Sequence, residues 1–201
     1  MAIVGEPMPL KYDEKKLMKV LTELSVNSRL IFACACAERL MLTLDWYWNK
    51  VGANHFGVVR SALDSGWAST QSQESSTEKL DSLVEQVKTL VPNDDDEALF
   101  PGLAVAQNAV ASVAYALGTW LQDDSQQAVW AARQLYDAAD VIVQQGAAVQ
   151  TYIERVDEEE PVQMLLRGMC SDLRDLQSGD ESQIPDRAKA DGRAFLAYLT
   201  E

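Results

Sequence analysis

Apolar residues recur along most of this chain at helical spacing, not at the alternation of a strand. Leu17, Val20, Leu21 and Leu24 fall at i, i+3, i+4 and i+7 behind Asp13, a residue suited to cap a helix. Ser25 can close that helix and cap the next, which the pattern carries to about Lys50, just before Gly52. A shorter helix is expected from Asn54 to Ala68, with Phe56, Val59, Leu63 and Trp67 on one stripe. The polar run "STQSQESS", residues 69 to 76, reads as a loop, and Ser75 with Glu78 forms a capping box. Leu80, Leu83, Val84, Val87 and Leu90 then make the apolar face of a helix that ends before Pro92.

The second half continues in the same way. After "PNDDDE" an uncharged helix is expected from about Gly102 to Leu121. Asp124 caps another, carrying Val129, Ala132, Leu135, Tyr136, Ala139 and Val143, and continuing past Gly146 to about Arg155. "DEEEP", residues 157 to 161, suits the first turn of a further helix, where carboxylates meet the positive end of the macrodipole. Leu165, Leu166, Met169 and Leu173 are its buried stripe. "QSGDESQIPD" reads as a loop, and a last helix spans about Arg187 to Leu199. No segment combines period-two alternation with β-branched enrichment. The expectation is an all-α, single-domain, orthogonal or bundle-like array of about seven helices around the uncharged one, with residues 1–12 as an N-terminal extension.

Composition narrows the class. A chain of 201 residues fits one sizeable domain and needs neither metal nor disulfide to bury a core. Its net charge of -14 repels nucleic acid and anionic lipid and favours a basic protein partner. Three cysteines form no evident pairing framework, which suits reduced thiols in a cytoplasmic protein. The N-terminus lacks the charged and apolar regions of a signal peptide. Residues 98 to 121 carry no charge, but Gln107, Asn108, Ser112 and Thr119 interrupt them and alanine dominates the rest, so a buried helix is expected and not a membrane span.

The stretch "RLIFACACAERLMLTLDWYW", residues 29 to 48, holds the least ordinary chemistry. On one continuous helix Cys34 and Cys36 would stand about 200° apart, too far around to share a metal. All three cysteines, Cys170 included, read as small buried hydrophobes. Leu30, Ala33, Ala37, Met41, Leu44 and Trp48 make one apolar side; Glu38 falls with Asp45 and Asn49, and Arg39 with Phe32 and Trp46. A helix apolar on nearly every side is buried, which makes Glu38 and Arg39 buried charges in need of partners. One reading is an ion pair that fixes helix packing. The other is a ligand pocket of Glu38, Asp45 and Asn49 walled by Trp46.

No catalytic or metal site is expected, and no cofactor. The single histidine, His55, rules out the paired Glu-x-x-His elements of a di-iron bundle, and it reads as a helix-start residue. Phosphate-loop, dinucleotide and zinc-protease motifs are absent, and "NDDDE", residues 93 to 97, lacks the spacing of a calcium loop. Asp137 and Asp140 read as surface carboxylates.

Three blocks, "FACACAERL" (32–40), "LFPGLAVAQNAVASVAYAL" (99–117) and "DLRDLQSGDES" (172–182), resemble in order the YjaG-like family of uncharacterised bacterial proteins, a domain of unknown function. The resemblance implies a compact, all-helical, cytoplasmic bacterial protein and brings no activity, cofactor or catalytic residue with it. The functional expectation is a non-enzymatic interaction protein with an acidic surface. The alternatives are a homodimer joined through apolar surface such as Trp46-Tyr47-Trp48, and a small-ligand binder or enzyme using the Glu38 pocket.

Overall fold

The structure, a computed structural model, describes residues 9–71, 77–93, 102–146 and 156–200. Every regular element among them is helical: α1 (Glu14–Thr22), α2 (Val26–Glu38), α3 (Met41–Val51), α4 (Phe56–Gln71), α5 (Thr77–Lys88), α6 (Leu103–Gln122), α7 (Ser125–Gly146), α8 (Glu160–Ser178) and α9 (Ile184–Thr200), with a 3₁₀ turn at Val156–Glu158. The Ser75 capping box, "NDDDE" beyond Asn93 and the continuation of α7 to Arg155 lie outside the described residues.

Local signals set most helix ends. Asp13 accepts a hydrogen bond from the Lys16 amide, and Ser25 from the Ser28 amide, satisfying first-turn donors. Gly52 and Gly179 end α3 and α8 in the left-handed region, at φ 73° and 77°, where a side chain would be strained. Two boundaries differ from the sequence pattern. Helix α4 runs on to Gln71 because Ser69 and Thr70 return their hydroxyls to the carbonyls of Ser65 and Trp67, at 2.8 and 2.7 Å, so they are accommodated within the helix. Helix α9 begins at Ile184, with Pro185 in the first turn, where its missing N–H costs nothing.

The larger correction concerns residues 25 to 50, which form two helices where one was expected. The chain stays right-handed at Arg39 and Leu40, but the Leu40 amide bonds to Ala37 three residues back, and Thr43 Oγ1 takes the Leu40 carbonyl at 2.7 Å. The Leu44 amide keeps its i→i−4 bond to the same carbonyl at 3.1 Å, so the interruption lies in the tightened i→i−3 turn at Leu40.

Helix α6 lies at the centre and touches α2, α3, α4, α5 and α7. Its alanines (Ala106, Ala109, Ala116) face a second alanine-rich surface on α7 (Ala128, Ala131, Ala132, Ala138), all buried. Two of the polar interruptions are satisfied within the bundle: Ser112 donates to the Ala131 carbonyl of α7 at 3.2 Å and Thr119 to that of Tyr115 at 3.0 Å. No described helix is long and apolar enough to cross a membrane. Helices α8 and α9 close the other side against α2, and α9 also reaches α3.

That last contact needs a glycine. A Cβ placed on Gly192 of α9 would stand 3.0 Å from the Arg39 backbone oxygen and 3.3 Å from its Cα. Backbone cannot swing aside as a side-chain tip does, so this close approach of α9 to the α2–α3 junction depends on the missing side chain. Gly192→Ala is therefore expected to destabilise by about 1–3 kcal/mol through overpacking, although the same change in an open helix would stabilise by up to ~1 kcal/mol. Chemical denaturation of the variant checks this; an unchanged or raised midpoint would contradict the close approach.

Candidate functional site

Glu38 closes α2 and is 6% exposed. Both carboxylate oxygens are engaged from α4: Arg60 Nη1 donates to Oε1 at 2.8 Å and Trp67 Nε1 to Oε2 at 3.1 Å. Arg60 also holds Asp64, its Nε at 2.9 Å. Burial alone would weaken the charge on Arg60, but Glu38 and Asp64 outweigh it and raise the guanidinium pKa above its ordinary value. Arg60, Asp64 and Trp67 recur at i, i+4 and i+7, so one face of α4 supplies the whole set.

Arg39, the next residue, points into a different environment and is fully enclosed. Its Nη1 donates to Asp172 Oδ2 at 2.7 Å, and its Nε and Nη2 lie 2.9 and 2.8 Å from Asp191 Oδ2. Asp172 is likewise enclosed and receives Arg187 Nε at 2.8 Å on its other oxygen, while Arg187 Nη2 reaches Asp175 at 2.6 Å. Burial disfavours the charge on Arg39, yet Asp172 and Asp191 together raise its pKa above the ordinary value. Space for the guanidinium comes from Gly168 of α8, where a Cβ would lie 2.8 Å from Arg39 Nη2 and 2.6 Å from Asp191 Oδ2. Two arginines thus face three aspartates across the α2, α8 and α9 junction.

The other residues singled out in the sequence fall elsewhere. Asp45 and Asn49 lie on α3, beyond the break, and bond to each other at 3.1 Å on the surface. Trp46 packs over Gly102, where a Cβ would meet its ring at 2.8 Å, and near Leu199. Tyr47 and Trp48 are 4% and 3% exposed within a single chain. His55 is exposed and its ring meets Trp48 edge-on, 5.8 Å between centroids. Asp137 accepts from Arg133 Nε at 2.8 Å, and Asp140 from Gln144 at 3.1 Å.

Cys34 and Cys36 are both enclosed. Burial, with the Glu38 charge added, raises the Cys34 thiol, and burial pushes Cys36 up to about 12 against the opposing effect of Arg39. Cys170 departs from the expected burial: it is exposed on α8, beside a shallow groove shared with Tyr12 and Leu17. It adjoins Met169 on the helix, at the outer margin of the Leu165, Leu166, Met169 and Leu173 stripe. Among the described residues no group of three or more His, Cys, Asp or Glu is placed to hold a metal ion.

A concavity of about 670 Å³ lies between α5 and α6. Glu78, Asp81 and Glu85 line it with Val84, Tyr115 and Leu121. The periodicity of α5 marked its apolar face and left this opposite, acidic face unremarked. For the Arg39 network a signal was present: Gly168, Asp172 and Asp175 at i, i+4 and i+7, and Arg187 and Asp191 at i and i+4. Each is a polar or small stripe at core spacing, but nothing in the spacing says that the two stripes face one another.

Two measurements separate these environments. A thiol reagent is expected to modify one cysteine, Cys170, in the native protein, and all three only after denaturation; fast native labelling of a second would contradict the enclosure of Cys34 and Cys36. Glu38→Gln breaks charge-assisted bonds to Arg60 and is expected to cost about 1–3 kcal/mol, seen as a lower melting temperature. An unchanged melting temperature would remove Glu38 from the packing.

The family model for DUF416, a protein family of unknown function, matches residues 16–166. A crystal structure of a DUF416 family protein from Shewanella baltica OS155 is similar to this chain with a TM-score of 0.70 and 16% identity, over 90% of this chain and 93% of the other. At that identity the likeness speaks for the fold. No curated protein matches.

Proposed function

Because the chain belongs to the DUF416 family, whose function is unknown, we propose a reading from its own physics: a non-enzymatic interaction protein that uses an acidic surface to bind a basic protein. The observation that carries it is where the charge resides. Among the described residues the two most deeply enclosed carboxylates, Glu38 and Asp172, are matched by arginine. Among the described residues the remaining carboxylates, Glu78, Asp81 and Glu85 with them, are half-buried or exposed, in a chain of net charge -14. Such a field steers a basic partner and opposes nucleic acid and anionic membranes.

Within the family we place the chain on the YjaG-like side, supported by the order of the three sequence blocks. A cytoplasmic setting is supported by three cysteines free of disulfides, one of them accessible. A small-ligand site or enzyme around Glu38, Asp45, Asn49 and Trp46 is the alternative; it requires Arg60 and Trp67 to leave Glu38. A homodimer is the second partner reading, and it needs surface other than the enclosed Tyr47 and Trp48.

Affinity capture from the native cell lysate, with bound proteins identified at low and moderate salt, tests the main reading. A stoichiometric basic protein that is lost as ionic strength rises is the expected result, since surface electrostatics is screened over about 8 Å at physiological salt. A partner held equally at both salts, or none, would overturn it.

A further inference from the structure

We propose that the cleft between α5 and α6 is the docking groove for a basic amphipathic helix of another protein. This inference rests on the acidic-interaction reading and gives it a location.

The two walls differ in chemistry. On α5, Glu78, Asp81 and Glu85 recur at i, i+3 and i+7, share one face and are exposed. Lys88 continues that face and its ammonium is bonded to Glu85 at 2.7 Å, so that pair cancels and Glu78 and Asp81 keep the wall acidic. From Glu78 to Lys88 this wall runs about 15 Å along the helix axis, three turns of a partner helix.

The floor is apolar and low. Ala111, Ala114, Gly118 and Leu121 of α6 share one face, and three of the four have no side chain beyond a methyl group. Val84 of α5 and the ring of Tyr115 flank this trough. Tyr115 leans on Trp130 of α7, 5.4 Å between centroids, and Trp130 is 39% exposed, so apolar surface continues past the rim. At one end Gln127 lies against α6, its Oε1 2.7 Å from where a Cβ on Gly118 would stand.

The volume of about 670 Å³ holds several aliphatic side chains and excludes a folded domain. An extended acidic wall above an apolar trough is complementary to a helix with leucine-like residues at i, i+3, i+4 and i+7 and lysine or arginine on its flanks. A second copy of this chain is disfavoured by the same charge, since it would bring another acidic surface against the first.

The test measures binding of a labelled 18-residue peptide with leucines at those spacings and lysines elsewhere, against a scrambled peptide of identical composition. The patterned peptide is expected to bind at least tenfold more tightly than the scrambled one. Ala111→Trp, which fills the trough, and the triple change E78Q/D81N/E85Q, confined to exposed positions, are each expected to weaken it at least tenfold. Circular dichroism confirms that both variants fold, and the triple change carries the test should Ala111→Trp not. Equal binding of both peptides, indifferent to either variant, would overturn the groove while leaving the acidic-surface reading intact. No peptide binding together with an empty lysate capture would overturn both. A dimer in sedimentation that Ala111→Trp abolishes would assign the cleft to a second copy and overturn the proposal.

Discussion

Arg39 is the residue around which one side of the molecule is arranged. A lone guanidinium cannot remain inside an apolar core, because losing its hydration costs more than burial returns. It is retained because α8 brings Asp172, α9 brings Asp191, and Gly168 leaves room for the charged group. Gly192 then lets α9 lie against the backbone of the same residue. Removing one partner of such a pair typically costs about 3–5 kcal/mol, a large part of the roughly 5–15 kcal/mol that holds a domain folded. The placement of α8 and α9 against α2 is thus an electrostatic requirement as much as an apolar one.

The adjacent residue meets the same requirement differently. Glu38 leaves α2 toward α4, where Arg60 and Trp67 occupy its two oxygens. Neighbours in sequence therefore anchor opposite flanks of the fold, one through an acidic pair of helices and one through a basic residue and an indole. The enclosed Arg39 and the half-enclosed Arg60 and Arg187 fill this role, since a planar five-donor group satisfies buried carboxylates better than an ammonium does. Among 17 basic and 31 acidic residues, this allocation leaves carboxylates such as Glu78, Asp81 and Glu85 to face solvent. The acidic exterior follows from the composition together with the demands of the interior.

Helix class was legible because 3.6-residue periodicity is a local property, and Asp13, Ser25, Gly52 and Gly179 mark ends through their own backbone chemistry. The failures are equally physical. Periodicity ran through Arg39 and Leu40 without interruption, since both remain right-handed and neither is glycine or proline. The break lies in a tightened turn at Leu40, beside the backbone contact that Gly192 of α9 makes with Arg39. Once it is present, a helical wheel drawn across it no longer relates Glu38 to Asp45 and Asn49. Cys170 was assigned to the interior by residue type, whereas its exposure depends on how α1 and α8 leave a groove between them.

By itself the sequence determined that this chain is all-helical, that α6 is central, that Glu38 and Arg39 are unusual charges, and that the whole is strongly acidic. Those are consequences of spacing, side-chain type and count. Tertiary structure alone decided which charges meet, where the long apolar segment bends and which acidic face lies beside an apolar trough. Each of these depends on residues far apart in the chain being brought within a few ångströms, a relation that local periodicity does not encode.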